Sequence, residues 1–226
     1  MCVIIRMPAS QVSPNKFYTS KETVDICYRA IKKYVKINKA DLIIEPSAGD
    51  GAFIEKIKKL SKNYKFYDIK PENPEIIKQD FLRLERMSVQ QNIHIVGNPP
   101  FGNKSSMAIK FIKHSAFLKA KTISFILPNS FQKPSFIKSF PLNYHLIYQQ
   151  VFLQDPFLHN DKLENVNTIF QIWERRETER KKPKILVPKD WYAFVKRPLC
   201  NITIKRVGFS TGNTKICKKD DNTNTN

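Results

Sequence analysis

The chain has 226 residues, 41% of them hydrophobic and 26% charged, which is typical of one globular domain with room for a small appendage. Lysine and arginine outnumber aspartate and glutamate by 39 to 20, giving a formal charge of +19, so nucleic acid is a more plausible partner than a membrane. No apolar run reaches bilayer length, and the N-terminus does not resemble a signal peptide. The four scattered cysteines predict neither a metal site nor disulfides. We therefore expect an intracellular (cytoplasmic or nuclear), reducing compartment.

The N-terminal part of the chain predicts an arm followed by a helix. Residues 1–16 contain two prolines and little periodicity, so we expect a flexible arm. In Lys21–Tyr34, apolar residues recur at helical spacing, and Thr19 or Ser20 can cap the start of that helix.

A strand, a turn of small residues and a helix then follow one another, as in nucleotide-binding units. The strand Asp41–Glu45 leads through a turn with two of the six glycines, Gly49 and Gly51, into the helix Ile54–Leu60. A phosphate-binding lysine and a third glycine are both missing from this turn. Because Glu45 precedes it, an ammonium or hydroxyl-bearing ligand is favoured over a phosphate.

Two further strands are each predicted to end at an acidic residue. Tyr64–Tyr67 ends at Asp68, a position that commonly binds ribose hydroxyls in such units. Glu75–Gln79 ends at Asp80, which could accept a hydrogen bond from an adenine amino group while Phe81 packs near the ring. An amphipathic segment, Leu82–Met87, is expected next.

The fourth strand, Ile93–Gly97, stops abruptly at Asn98-Pro99-Pro100-Phe101. The Asn98 side-chain oxygen and the Pro99 carbonyl can accept the two hydrogens of a planar amine, and Phe101 can stack on a base. Such an amine becomes nucleophilic when acceptors outside its plane hold both hydrogens. Taken alone, the same four residues are equally compatible with a proline-stiffened loop.

The remaining elements complete a seven-stranded pattern. We expect a helix from Ser105 or Ser106 to about Leu118, and strands at Thr122–Leu127, His145–Phe152 and Thr168–Trp173. The segment between the last two, Leu153–Val166, is expected to be a lid or substrate loop. Beyond a charged run, Ala193–Lys196 could pair with Asn201–Val207 as a hairpin. The predicted division is an arm (1–16), a catalytic domain (17–175), a basic extension (176–217) and a disordered tail (218–226).

The order of these features resembles that of S-adenosylmethionine-dependent amino-methyltransferases, above all the adenine-specific enzymes with an Asn/Asp-Pro-Pro-Tyr/Phe motif. The resemblance runs from about Phe17 to Trp173. It implies an α/β, Rossmann-like class I methyltransferase fold: a seven-stranded, mostly parallel sheet with one antiparallel strand, helices on both faces and a small basic C-terminal appendage. It also implies S-adenosylmethionine as cofactor and the 6-amino nitrogen of adenine, in DNA or RNA, as methyl acceptor.

The resemblance further implies roles for individual residues. The methionine end of the cofactor would contact Phe17, Tyr18 and Thr19, and its main binding loop would comprise Glu45, Pro46, Ala48, Gly49 and Gly51. Asp68 would bind the ribose, and the cofactor adenine would lie among Ile69, Asp80 and Phe81. The target amine would be held beside the cofactor by Asn98, Pro99, Pro100 and Phe101. Five lysines are candidates for contacts with nucleic-acid phosphates, and simple exposure to solvent is an equally good interpretation of each: Lys104, Lys110, Lys113, Lys133 and Lys138.

Two departures from the family pattern keep other interpretations open. Phe101 stands where tyrosine is commoner, and the short stretch after Trp173 leaves little room for the target-recognition domain of restriction-type enzymes, so a partner protein or a missing domain is conceivable. A methyltransferase acting on a protein glutamine amide and a non-catalytic nucleic-acid-binding subunit are the alternatives. A nicotinamide dehydrogenase is disfavoured because the third glycine and a hydride-transfer residue are missing.

Overall fold

The computed structural model describes residues 19–86, 91–159 and 162–182, and beyond them 193, 195, 199–204 and 214–216. The predicted arm 1–16, Phe17, Tyr18 and the predicted tail 218–226 lie outside these residues. The chain divides into two compact units, Met1–Lys181 and Lys182–Asn226.

The first unit is organised around a seven-stranded mixed sheet. Its strands are β1 (Leu42–Glu45), β2 (Asn63–Asp68), β3 (Ile77–Lys78), β4 (Ile93–Gly97), β5 (Thr122–Pro128), β6 (Tyr144–His159) and β7 (Lys162–Arg175). Their spatial order is β3-β2-β1-β4-β5-β7-β6, and neighbours pair in parallel except that β7 runs antiparallel to β5 and β6. The predicted seven-stranded sheet with one antiparallel strand is confirmed.

Helices flank the sheet at α1 (Lys21–Tyr34), α2 (Ile54–Leu60), α3 (Ser106–Phe117) and α4 (Pro134–Ile137). The predicted bounds of α1 and α2 are confirmed, and the Ser20 hydroxyl caps α1 by accepting a hydrogen bond from the Thr23 amide at 3.2 Å. The cap also fixes the position of Thr19, the residue before it.

The central strands are buried on both faces of the sheet. On one face, Ile44 of β1 packs in a cluster with Ile95 of β4 and Ile112 of α3. On the other, Ile43 belongs to a second cluster with buried residues of α1 and α2. A parallel strand that helices cover on both faces needs a mostly apolar sequence, and β1, β4 and β5 have one.

Two predicted segments take a different form. In place of an amphipathic segment over Leu82–Met87, a short 3-10 turn spans Phe81–Arg83 and ends because Leu84 is extended; Met87 lies outside the described residues. In place of a loop over Leu153–Val166, β6 and β7 continue as a hairpin that pairs from Asp155 with Val166 to His159 with Lys162. β6 is the edge strand of the sheet, so the missing N–H of Pro156 is tolerated there.

In the second unit, β8 (Ile202–Ile204) pairs antiparallel with β9 (Thr214–Ile216). β8 lies within the predicted strand Asn201–Val207, whereas Phe194, Lys196 and residues 205–207 of the predicted hairpin lie outside the described residues. Within the described stretches of the whole chain, no helix combines the length and apolarity needed to cross a bilayer. The same stretches contain no group of three His, Cys, Asp or Glu side chains placed to ligate a metal.

Candidate active site

The residues predicted to carry the chemistry converge at one edge of the sheet. The glycine turn (residues 46–53) follows β1, Asp68 ends β2, and Asn98 follows β4. These three strands are adjacent and parallel, so their carboxyl ends lie together, which is where open α/β sheets bind ligands. Hydrogen bonds join the glycine turn to the end of β2 and to the residues after β4.

The glycine turn is tied to the end of β2. The Gly49 amide donates to Asp68 Oδ2 at 2.9 Å, and the Ala48 amide donates to the Tyr67 carbonyl at 2.9 Å. Gly49 and Gly51 have φ values of +56° and +96°, which side chains disfavour. A Cβ added to Gly51 would lie 2.6 Å from Ile54 Cδ1, whereas one added to Gly49 would meet no described atom within 4 Å. The backbone at Gly49 therefore faces open space in which a ligand can approach closely.

The Asp68 carboxylate shapes this turn and keeps capacity for a ligand. Its Oδ1 accepts from the Lys70 amide at 2.8 Å, while Oδ2 accepts from Gly49. Two oxygens of a carboxylate offer about four acceptor positions, so two bonds leave room for further hydroxyl donors. The predicted ribose contact is compatible with this arrangement.

Glu45 is a buried carboxyl beneath the turn. Its side chain is 2% exposed, and Oε2 has no hydrogen-bond partner among the described residues. Burial raises the pKa of Glu45 well above its usual value, and the nearby carboxylates of Asp50 and Asp68 raise it further. Glu45 also lies against the backbone of Gly97, where an added Cβ would be 3.3 Å from Glu45 Cγ.

We expect Glu45→Gln to stabilise the ligand-free protein at neutral and alkaline pH. Because the folded state holds the Glu45 proton at pH values where the unfolded chain has lost it, the free energy of unfolding falls as pH rises through that window. Glutamine removes this loss because its amide does not titrate, and the gain should grow by about 1.4 kcal/mol for each pH unit between the unfolded and folded pKa values. Urea denaturation from about pH 5 to about pH 9 measures it, and exposed Glu55 provides the control as Glu55→Gln. Parallel pH profiles for wild type and Glu45→Gln would contradict the expectation.

The diproline corner (residues 98–101) lies next to the glycine turn. The Ser47 hydroxyl donates to the Asn98 backbone carbonyl at 3.1 Å, joining the two segments. The Asn98 side-chain nitrogen donates to Thr19 Oγ1 at 3.3 Å, whereas its oxygen, Oδ1, is buried and has no partner among the described residues. The Pro99 carbonyl likewise receives no hydrogen bond from the described part of the chain. Two acceptors thus remain unused at this corner.

The other residues of the corner and the lysines predicted to contact phosphate differ in exposure. Pro99 is buried, Pro100 is exposed and Phe101 is partly exposed, with its carbonyl accepting from the Met107 amide at 3.2 Å at the start of α3. The five lysines are all exposed, in the turn before α3, on α3, or beside α4: Lys104, Lys110, Lys113, Lys133 and Lys138. Their contact with phosphate stays a prediction.

The residues predicted around the cofactor adenine have mixed environments. Ile69 is 68% exposed next to Asp68. Asp80 Oδ1 accepts from the Leu82 amide at 2.9 Å, and the Phe81 ring is buried against Phe111, with ring centroids 5.3 Å apart. Of these residues, Asp80 and Ile69 are accessible enough to meet a ligand, and the roles of all three stay predictions.

Sequence reasoning missed two features of the site. They are the hydrogen bond from Ser47 to the Asn98 carbonyl and the hydrogen bond from the Asn98 side chain to Thr19. The bonded pairs are separated by 51 and 79 positions along the chain, so no local pattern could have revealed them.

Several solved methyltransferase structures share this fold. PH1948 of Pyrococcus horikoshii, described as a candidate RNA methyltransferase, superposes with a TM-score of 0.58 at 13% identity, covering 74% of this chain and 90% of its own. The 23S rRNA methyltransferase ErmE superposes with a TM-score of 0.52 at 13% identity, covering 74% of this chain and 73% of its own. The modification subunit of a candidate type I restriction enzyme from Vibrio vulnificus YJ016 gives 0.54 at 11% identity, with 74% and 46% covered.

At these identities the likeness establishes the fold, and the predicted Rossmann-like class I methyltransferase fold is confirmed. No curated protein matches the sequence. A family model described as the EDM2 methyltransferase-like domain matches residues 36–187, which is more than half of the chain. The chain therefore belongs to the family of EDM2 methyltransferase-like domains.

Proposed function

We propose that this chain transfers a methyl group from S-adenosylmethionine to the 6-amino nitrogen of adenine in DNA or RNA. The observation that carries the proposal is that the buried Asn98 Oδ1 and the Pro99 carbonyl have no hydrogen-bond donor among the described residues, while Ser47 joins Asn98 to the glycine turn. A buried acceptor without a partner is costly unless a ligand supplies the donor. A planar amine has two hydrogens to give to such a pair of acceptors.

The cofactor fits the groups around the glycine turn. Gly49 presents backbone to open space, and Glu45, Asp50 and Asp68 form an acidic surrounding suited to ammonium and hydroxyl groups rather than to phosphate. Asp68 would hold the ribose and the turn the methionine portion. When bound, S-adenosylmethionine supplies an electrophilic methyl group on a sulfonium.

The chain's own residues prepare the acceptor nitrogen. Asn98 Oδ1 and the Pro99 carbonyl accept its two hydrogens and draw the lone pair out of conjugation with the purine ring. The fixed φ of Pro99 and Pro100 keeps the Pro99 carbonyl aimed, so little reorganisation of this acceptor is needed at the moment of reaction. Once methylated, the positively charged amine is acidic enough to lose its proton to solvent, so no protein base is required.

Charge and the neighbouring structures support nucleic acid as the substrate class. The formal charge of +19 attracts a polyanion at long range. Two of the structural neighbours are described as acting on ribosomal RNA or as part of a restriction–modification system. Partly exposed Phe101 lies where a base, already single-stranded or flipped out of a duplex, could stack.

The test uses S-adenosylmethionine with an isotopically labelled methyl group and, in separate reactions, adenine-containing RNA, single-stranded DNA, duplex DNA and a glutamine peptide. Mass spectrometry of the digested products should find the label in N6-methyladenine from at least one nucleic acid and none in the peptide. Label confined to the glutamine amide, or label in neither class with cofactor bound in calorimetry, would contradict the proposal.

A further inference from the structure

Asn98 is held at two points from two different segments. Ser47 of the glycine turn fixes its backbone carbonyl at 3.1 Å, and Thr19, immediately before the cap of α1, accepts from its side-chain nitrogen at 3.3 Å. The nitrogen and oxygen of a planar amide diverge from the same carbon. Anchoring Nδ2 at Thr19 therefore turns Oδ1 away from the start of α1.

Without that anchor, the amide would have reason to rotate. Oδ1 is buried and unpartnered among the described residues, and an unpaired buried acceptor is unfavourable. Rotation of the side chain by half a turn would exchange oxygen and nitrogen and present a donor, where a target amine needs an acceptor. Only one of the two orientations supports the proposed reaction.

Thr19 is itself rigidly placed. The next residue, Ser20, accepts from the Thr23 amide through its hydroxyl and from the Val24 amide through its carbonyl, at 3.2 and 3.0 Å. Helix α1 is in turn anchored in the core by buried residues such as Val24 and Ile31. The hydroxyl that contacts Asn98 thus belongs to the first residue outside a well-anchored helix.

We propose that Thr19 is a positioning residue whose hydroxyl sets the Asn98 amide in the orientation that exposes Oδ1 to the target amine. This inference rests on the proposed function. It gives Thr19 a role on the acceptor side of the reaction, in addition to the cofactor contact that the family resemblance implies.

Three variants separate this role from simple structural support. Thr19→Val keeps the shape and removes the hydroxyl, and it should lower kcat at saturating substrates at least about tenfold while the Kd for S-adenosylmethionine changes less than about threefold. Thr19→Ser restores the hydroxyl and should recover kcat to within about threefold of wild type. Ser61→Ala removes hydrogen bonds to the Lys39 and Asp41 carbonyls, before the start of β1 and away from Asn98, so it should lower Tm while kcat stays within about twofold.

A kcat for Thr19→Val close to wild type, with only a raised KM for the cofactor, would overturn the inference and leave Thr19 as a cofactor contact. A spectroscopic readout decides the matter without turnover. The side-chain amide resonance of Asn98, identified by its loss in Asn98→Asp, should shift in Thr19→Val and stay in place in Thr19→Ser. If wild type transfers methyl groups and the resonance does not move in Thr19→Val, the inference about Thr19 is wrong. If wild type transfers no methyl group, it is the proposed function that is wrong.

Discussion

Replacing Asn98 with alanine is expected to lower kcat by roughly 10²–10³-fold, the loss seen when one preorganised polar group is removed from a reacting centre. The variant deletes Oδ1, the buried acceptor that has no partner in the described part of the protein. One hydrogen of the target amine would then lack an acceptor, and its lone pair would stay conjugated with the ring. Steady-state kinetics with the best nucleic acid found in the labelling assay measures the change.

The matched control is Asn103→Ala, which removes an exposed asparagine amide from the turn that follows the same corner. It should retain wild-type kcat, and both variants should bind S-adenosylmethionine in calorimetry with near wild-type affinity. An Asn98→Ala enzyme that turns over within about threefold of wild type would remove Asn98 from the mechanism.

The second large effect is expected at Asp68, where alanine should weaken S-adenosylmethionine binding by roughly 100-fold. The carboxylate accepts from the Gly49 and Lys70 amides at 2.9 and 2.8 Å, and hydrogen bonds to a charged group contribute about 1.5–3 kcal/mol each. The change would both release the glycine turn and remove the predicted ribose ligand. Isothermal titration calorimetry with S-adenosylmethionine provides the measurement.

Glu177→Ala removes the same charge from an exposed position beyond β7 and controls for the general electrostatic field. Asp68→Asn, which keeps one acceptor oxygen for the Gly49 amide, should bind with intermediate affinity. Equal affinities for Asp68→Ala and wild type would show that the turn and the ribose do not depend on this carboxylate.

The central strands and the composition of the site were predictable because they depend on local patterns. β1, β4 and β5 are short, mostly apolar runs, and the glycine turn, Asp68 and Asn98 each stand at the end of a strand. Parallel pairing of adjacent strands then brings those ends together without further information. The Ser20 cap and the bounds of α1 follow from equally local chemistry.

The hairpin extension of β6 and β7 was not predictable in the same way. Asp155 and Pro156 have poor strand propensity and predict a loop, yet cross-strand pairing with residues of β7 extends the ladder through them. Strand pairing between distant or polar segments overrides local preference. The pairing of β8 with β9 in the second unit depends on the same kind of contact between separated segments.

The hydrogen bonds that orient Asn98 were also beyond the sequence. Thr19 and Ser47 come from segments on either side of β1, and the role of each depends on the folded geometry rather than on residue type. Likewise, the sequence around Glu45 does not reveal that Oε2 has no partner among the residues described, or that burial raises the pKa of its carboxyl. The motif identifies the participants, whereas their orientation is a property of the packed structure.

In the proposed reaction, the diproline corner holds a planar amine through Asn98 Oδ1 and the Pro99 carbonyl. A crystal structure of the protein with S-adenosylhomocysteine and an adenine-containing oligonucleotide would show whether this contact exists. We expect the adenine amino nitrogen within about 2.7–3.2 Å of both oxygens, with its ring stacked on Phe101. An adenine bound away from this corner, or an Asn98 oxygen bonded to a protein donor in the complex, would contradict the account.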